Sequence, residues 1–182
     1  MRSASGRTRV PTSPPRHAMH IRPFRPGEEP ALRAVFVSAV HGIARHDYTH
    51  EQIEAWAPPT CDPEAWAKRV QAIGPFVVEH RGEILAYADV QADGYIDHFF
   101  VSARHARQGI GSLLMAHLHT VAATRAIALL SSDVSRTAQP FFEKFGFAVT
   151  EQRSPVIRGV TIPNARMCKH LPPEHQTSAY KP

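Results

Sequence analysis

Residues 95–123 constrain the fold of this chain more than any other stretch. They read Tyr-Ile-Asp-His-Phe-Phe-Val, then Ser-Ala-Arg-His-Ala-Arg-Gln-Gly-Ile-Gly, then Ser-Leu-Leu-Met-Ala-His-Leu-His-Thr-Val-Ala-Ala. Aromatic and β-branched residues fill the first seven positions and predict a strand. In the last dozen, Ile110, Leu113, Leu114, Leu118 and Val121 share one helical face. A basic loop closing on Gly109 and Gly111 joins the two. Strand, glycine turn and helix start together make an anion site, because free backbone N–H groups and the positive end of the helix dipole point outward together.

The flanking sequence supplies the rest of an α/β domain. Residues 20–24 read as a first strand. Pro26-Gly27-Glu28-Glu29-Pro30 opens a helix that runs to about residue 45, with Leu32, Val35, Phe36, Ala39 and Val40 on its buried face. Thr49 is placed to cap a short second helix ending before Pro58-Pro59. Asp62-Pro63-Glu64 starts a third. Residues 76–80 and 83–90 are two strands about an Arg81-Gly82 hairpin turn. After the central helix come a strand over 126–134, a short helix over 137–145 closed by Gly146, and two strands over 147–151 and 156–170 that can pair, the second broken near Pro163. Hairpins give antiparallel neighbours and the central strand–helix–strand gives a parallel crossover. The expected fold is therefore a mixed central β-sheet flanked by helices.

Composition limits the function classes. The chain has 182 residues, and its formal net charge is +5. Four arginines in residues 1–18, with no acid among them, carry most of that charge and leave a near-neutral remainder. A nucleic-acid-binding core would carry its basic residues across a face of the fold, and none is legible here. Residues 1–18 are Ser-, Pro- and Arg-rich and read as a disordered tail, with Met19 a candidate start; residues 172–182 read as a loose end. One domain over 19–171 is expected. No apolar run is long enough for a bilayer, no signal peptide is evident, and two cysteines give no disulfide framework, which together point to the cytoplasm.

The order of elements and four local matches resemble the GNAT superfamily of acetyl-CoA-dependent N-acetyltransferases. Gln108-Gly109-Ile110-Gly111 running into Leu113-Leu114-Met115 is similar to the family's acyl-CoA signature, with Ala106 where its first Gln or Arg usually stands. Pro140-Phe141-Phe142-Glu143-Lys144-Phe145-Gly146-Phe147 is similar to the late helix and following strand. The strand pair over 76–90 and the ending at Arg158-Gly159-Val160 to Arg166-Met167 complete the resemblance, which spans residues 21–171.

The resemblance implies acetyl-CoA as co-substrate and an amine as acceptor, with direct transfer in a ternary complex. Backbone N–H groups of Gln108, Gly109, Ile110, Gly111 and Ser112 would hold the pyrophosphate, with Arg107 adding charge. Backbone groups of Phe99 and Val101 would hold the pantetheine arm and thioester. Ser135 is either a further coenzyme contact or a plain helix cap. Strict alternation puts Tyr95, Asp97, Phe99 and Val101 on one face and Ile96, His98 and Phe100 on the other. Tyr95 and Asp97 then face the acceptor. Asp97 is the candidate base, or else a strand carboxylate paired with an arginine. His98 reads as a packing histidine. Asp47 and Tyr48, in a loop, are candidate acceptor contacts, whereas Trp56 and Trp66 read as core.

Phe142 stands where the family often has the tyrosine that protonates the leaving thiolate, so Tyr48, Tyr87, Tyr95 or solvent must be considered for that role. The missing hydroxyl leaves open an alternative, a non-catalytic acyl-CoA-binding regulatory module. The 12 histidines show no ligand spacing, and no metal is expected. Expected partners are a small-molecule or peptide amine, with no nucleic acid and no membrane, for a monomer or homodimer. The near-neutral core argues against a highly charged acceptor.

Overall fold

A computed structural model describes residues 19–172; the expectations for residues 1–18 and for the final ten residues lie outside it. The chain opens with β1 (His20–Pro23) and α1 (Glu29–Gly42), followed by α2 (His50–Trp56) and α3 (Pro63–Ile73). Thr49 caps α2 in a reciprocal box with Gln52, and Asp62 caps α3 through the Glu64 N–H. Next come β2 (Phe76–His80) and β3 (Glu83–Ala88). Arg81 and Gly82 both take positive φ, 53° and 82°, which is the two-residue turn that matches strand twist.

The central run then splits into β4 (Tyr95–Ile96) and β5 (Phe99–Val101). The helix α4 (Ile110–Thr124) is followed by β6 (Leu129–Ser135), α5 (Gln139–Lys144) and β7 (Ala148–Arg153). The last segment is not one interrupted strand. A small hairpin of β8 (Val156–Ile157) and β9 (Val160–Thr161) turns at Arg158-Gly159 and precedes β10 (Asn164–His170).

The mixed sheet has two halves. One is antiparallel, in the order β1-β2-β3-β5. The other runs β4-β6-β10-β7, with β4 and β6 parallel and the rest antiparallel. The run 95–101 belongs to both halves and joins them. Helices α4 and α5 cover one face, where Ile110, Leu114, Leu118 and Phe142 pack with Val78, Ala86, Leu130 and Met167. Helices α1 to α3 cover the first half's other face, where Leu32, Phe36, Val40 and Val70 pack with Val77 and Tyr87. No described helix is long and apolar enough to cross a membrane.

Candidate active site

The site follows from a fault in the central strand. Ile96 pairs with Ser132 of β6, and Phe99 to Val101 pair with β3, but Asp97 and His98 sit in neither ladder. Asp89, just beyond β3, fixes the fault. Its carboxylate accepts the His98 N–H at 2.6 Å and the Asp97 N–H at 3.4 Å, while its own N–H donates to the His98 carbonyl at 3.1 Å.

The fault shifts the alternation by one residue, which corrects the sequence reading. Ile96 shares a face with Phe99 and Val101, toward α4. His98 and Phe100 lie on the other face, against Phe36 of α1. Asp97 and His98 are not opposed either, because Arg69 of α3 reaches both: its Nη2 lies 3.1 Å from Asp97 Oδ2 and its Nε donates to His98 Nε2 at 3.2 Å. With Nε2 accepting, Nδ1 carries the proton and donates to the Tyr87 hydroxyl oxygen at 3.2 Å. His98 is buried beside the Phe36 and Trp66 rings, and burial lowers its pKa to about 4. It is a packing histidine.

Because β4 stays beside β6 and β5 follows β3, a wedge opens beyond Ser132. The bonds from Asp89 N–H to the His98 carbonyl and from Ser102 N–H to the Leu85 carbonyl show which residues of this run turn toward β3. The pairing alternates, so the backbone groups of Phe99 and Val101 turn the other way, into the wedge. A cavity of about 610 Å³ occupies it. Phe99, Phe100 and Val101 line one wall. Ala106, Arg107, Gly109, Gly111 and Ser112 line the mouth, and Ser135, Thr137 and the α5 residues Phe141 and Lys144 face them.

The mouth is built for an anion. Arg107 and Gly109 hold φ of 62° and 82°, and no side chain caps α4, so its first N–H groups remain free. Gly109 has open space around it and is needed for its φ. Gly111 has little room for a side chain. A Cβ there would lie 3.3 Å from the Phe141 ring and 3.6 Å from Val101 Cγ2.

A family model for the acetyltransferase (GNAT) domain matches residues 44–166. The chain belongs to the GNAT family. It is 30% identical over 157 residues to the uncharacterised N-acetyltransferase YafP of Escherichia coli, covering 86% of this chain and 98% of YafP. A GCN5-related N-acetyltransferase from Rhodopseudomonas palustris superposes with a TM-score of 0.80 at 26% identity, over 88% of this chain and all (100%) of that one. PaiA N-acetyltransferase from Thermoplasma acidophilum, solved in complex with coenzyme A, gives a TM-score of 0.65 at 16% identity, over 85% and 99% of the two chains.

Within this GNAT domain the expected coenzyme residues fall into two groups. Phe99, Val101, Arg107, Gly109, Gly111, Ser112 and Ser135 come together on the cavity wall. Ser135 Oγ also accepts the Ala138 N–H at 3.3 Å, so it serves the start of α5 as well. Ile110 turns its side chain into the core, and Gln108 is exposed, its amide donating to the Arg104 carbonyl at 3.3 Å.

The residues expected to serve the acceptor lie elsewhere. Asp97 takes the arginine pairing described above. The Tyr95 hydroxyl donates to Asp133 at 3.3 Å, and Arg166 stacks on its ring at 5.1 Å. Burial and the Asp133 charge push the Tyr95 hydroxyl up to about 12. Burial would raise Asp133 as well, but Arg166 and Arg153 hold it below the usual carboxylate range. Asp47 accepts from the Thr137 hydroxyl at 2.6 Å. Tyr48 donates to the Pro163 carbonyl at 2.6 Å and accepts the Arg136 N–H at 2.9 Å. This pair fastens the loop between β6 and α5 that carries Ser135 and Thr137 to the cavity. Tyr48→Phe removes both bonds and strands a backbone donor, so a loss of about 2 kcal/mol in urea unfolding is expected; a loss below a few tenths would remove the fastening role.

Phe142 is buried, packed at 5.6 Å on Phe99 and 5.0 Å on Phe147. The hydroxyls on the cavity wall, among described residues, are those of Ser112, Ser135 and Thr137. Sequence reasoning missed Asp89, whose only signal is a carboxylate at the end of an apolar strand. Trp56, weighed as core against ligand wall, packs in the core and lines the cavity at once.

Proposed function

We propose that this GNAT acetyltransferase moves the acetyl group of acetyl-CoA to an amine, directly between two bound substrates. The observation that carries the reading is the wedge: free backbone groups of Phe99 and Val101 open onto the same cavity as the glycine turn. The residues fit the coenzyme, because the mouth offers uncapped N–H groups with Arg107 and Lys144 nearby, and Gly111 leaves the wall beside Phe141 and Val101 free of a side chain. When bound, acetyl-CoA supplies an acetyl group activated as a thioester.

The chain supplies position and polarity. The free N–H groups of the first α4 turn, with Arg107 and Lys144, hold the phosphate charge. An N–H of the wedge strand aimed at the thioester oxygen stabilises charge as it develops there, an effect of about 3 kcal/mol where it has been measured in oxyanion holes. Phe99 and Phe141 would exclude water from the reacting carbon. Protonation of the departing sulfur falls to solvent, to the amine's own proton or to a wall hydroxyl, since Phe142 has none.

Calorimetry with acetyl-CoA and a thiol-release assay over a broad amine panel test this. Saturable binding with amine-dependent thiol release is expected. No binding of acetyl-CoA would sink the proposal, and binding without turnover on any amine would leave only a coenzyme-binding module.

A further inference from the structure

We infer that the acceptor is a weakly basic amine carried on an aromatic body. The inference rests on the reading of the wedge cavity as the acetyl-CoA site. On the side formed by the α1–α2 region and β5, the cavity is lined by Ala39, Val40, Ile43, Ala44, Trp56 and Phe100. All six are apolar or aromatic. The Trp56 and Phe100 rings stand 6.4 Å apart at 58°, two adjoining aromatic panels on that wall.

Charge narrows the class further. Among the described residues no carboxylate lines this cavity, and its two charged side chains, Arg107 and Lys144, are both cations. Of the carboxylates close in the chain to its walls, Asp47 accepts from Thr137, Asp97 pairs with Arg69, Asp133 pairs with Arg153 and Arg166, and Glu54 lies 3.8 Å from His41, while Glu143 is exposed and is not among the lining residues. An alkylammonium group entering here would lose its hydration and meet no counter-charge on the lining. It would also find no lining base to take its proton before attack. A polycationic acceptor faces both obstacles several times over. An amine already neutral at the working pH faces neither.

The transfer then balances without a protein base. The nitrogen lone pair forms the bond to the acetyl carbon as the carbon–sulfur bond breaks. The bonding pair leaves on sulfur, and the proton shed by the acylated nitrogen ends on that sulfur, giving amide and free thiol. This also removes the need for a hydroxyl at Phe142.

The test uses the full chain with acetyl-CoA binding measured first. Thiol release is then compared for ring-substituted anilines and for spermidine, an aminoglycoside and a lysine peptide. The anilines are expected to exceed the polycations by about a hundredfold or more in kcat/KM, the scale of leaving one buried charge unpaired. Trp56→Ala is expected to raise the aniline KM about tenfold and to leave the acetyl-CoA KM within about twofold, as loss of one apolar wall predicts. Because Trp56 also packs on Phe36 and Tyr48, a second variant at the half-buried wall position is needed. Ile43→Asp is expected to lower aniline turnover and raise that of spermidine. A polycation preferred by the wild-type protein overturns the inference, and so do silent anilines with acetyl-CoA bound. A hexanoyl thioester preferred over acetyl, with Trp56→Ala shifting the thioester KM instead of the amine KM, would assign the apolar side to the acyl chain and overturn it too. Failure of acetyl-CoA to bind at all would instead overturn the underlying coenzyme reading.

Discussion

Gly111→Val is expected to leave the fold intact and weaken acetyl-CoA binding by about a hundredfold or more, the scale on which filling a shaped site with misplaced atoms acts. Gly111 takes ordinary helical φ, so a side chain there meets no backbone strain. Glycine is the weaker helix former, and valine in the first turn changes stability by less than about 1 kcal/mol. Space decides the effect. A single Cβ already stands 3.3 Å from the Phe141 ring and 3.6 Å from Val101 Cγ2. Two γ-methyls must then go where Phe141 and Val101 leave room, which is the cradle between the mouth of α4 and the wedge strand. Calorimetry and thermal melting separate the two effects. An unchanged dissociation constant with a normal melt would show that the arm of the coenzyme does not pass Gly111. A collapsed melt would show instead that Phe141 cannot yield.

The turn was legible in the sequence because its determinants are local. Glycines at 109 and 111, a strand before and an amphipathic helix after all fall within one short stretch. The Thr49–Gln52 capping box and the Arg81-Gly82 turn were legible for the same reason. The wedge was not. Alternation predicts a side chain's face only while the ladder runs unbroken, and here a carboxylate eight and nine residues upstream captures the backbone of Asp97 and His98. The structural bonds of Tyr48 were not legible for a related reason. Its partners, Arg136 and Pro163, lie 88 and 115 residues along the chain, where no local pattern reports them. Asp97 shows the same limit: the sequence leaves base and arginine pairing both open, and the arginine beside it, Arg69, stands 28 residues upstream. Long-range pairing therefore sets which polar residues have protein partners, and that is what the sequence does not show.

Holding that strand open has an expected signature in pH. Asp89 is completely buried, and burial raises its pKa from 3.8 to about 6, against the pull of the His98 and Asp97 N–H groups. Between about pH 4 and pH 6 the folded protein therefore holds a proton on Asp89 that the unfolded chain has released. Stability falls wherever the folded state binds more protons, so this contribution is full below about pH 4 and is lost as pH rises through about 6. A shift of roughly two units corresponds to about 3 kcal/mol. Asp133 acts in the opposite sense, since its pKa is lowered and its contribution is lost as pH falls. Asp89 is isolated by comparison with Asp89→Asn, which cannot ionise but keeps an oxygen to accept the His98 N–H. Urea unfolding of both proteins at pH 4, 5, 6 and 7 is expected to show the wild type losing up to about 3 kcal/mol relative to the variant as pH rises. Parallel curves would mean that Asp89 titrates alike in both states. A wild type that gains on the variant with rising pH would mean that the strand N–H groups outweigh burial, and that the fault between β4 and β5 is stabilised, not opposed, by the charge that holds it.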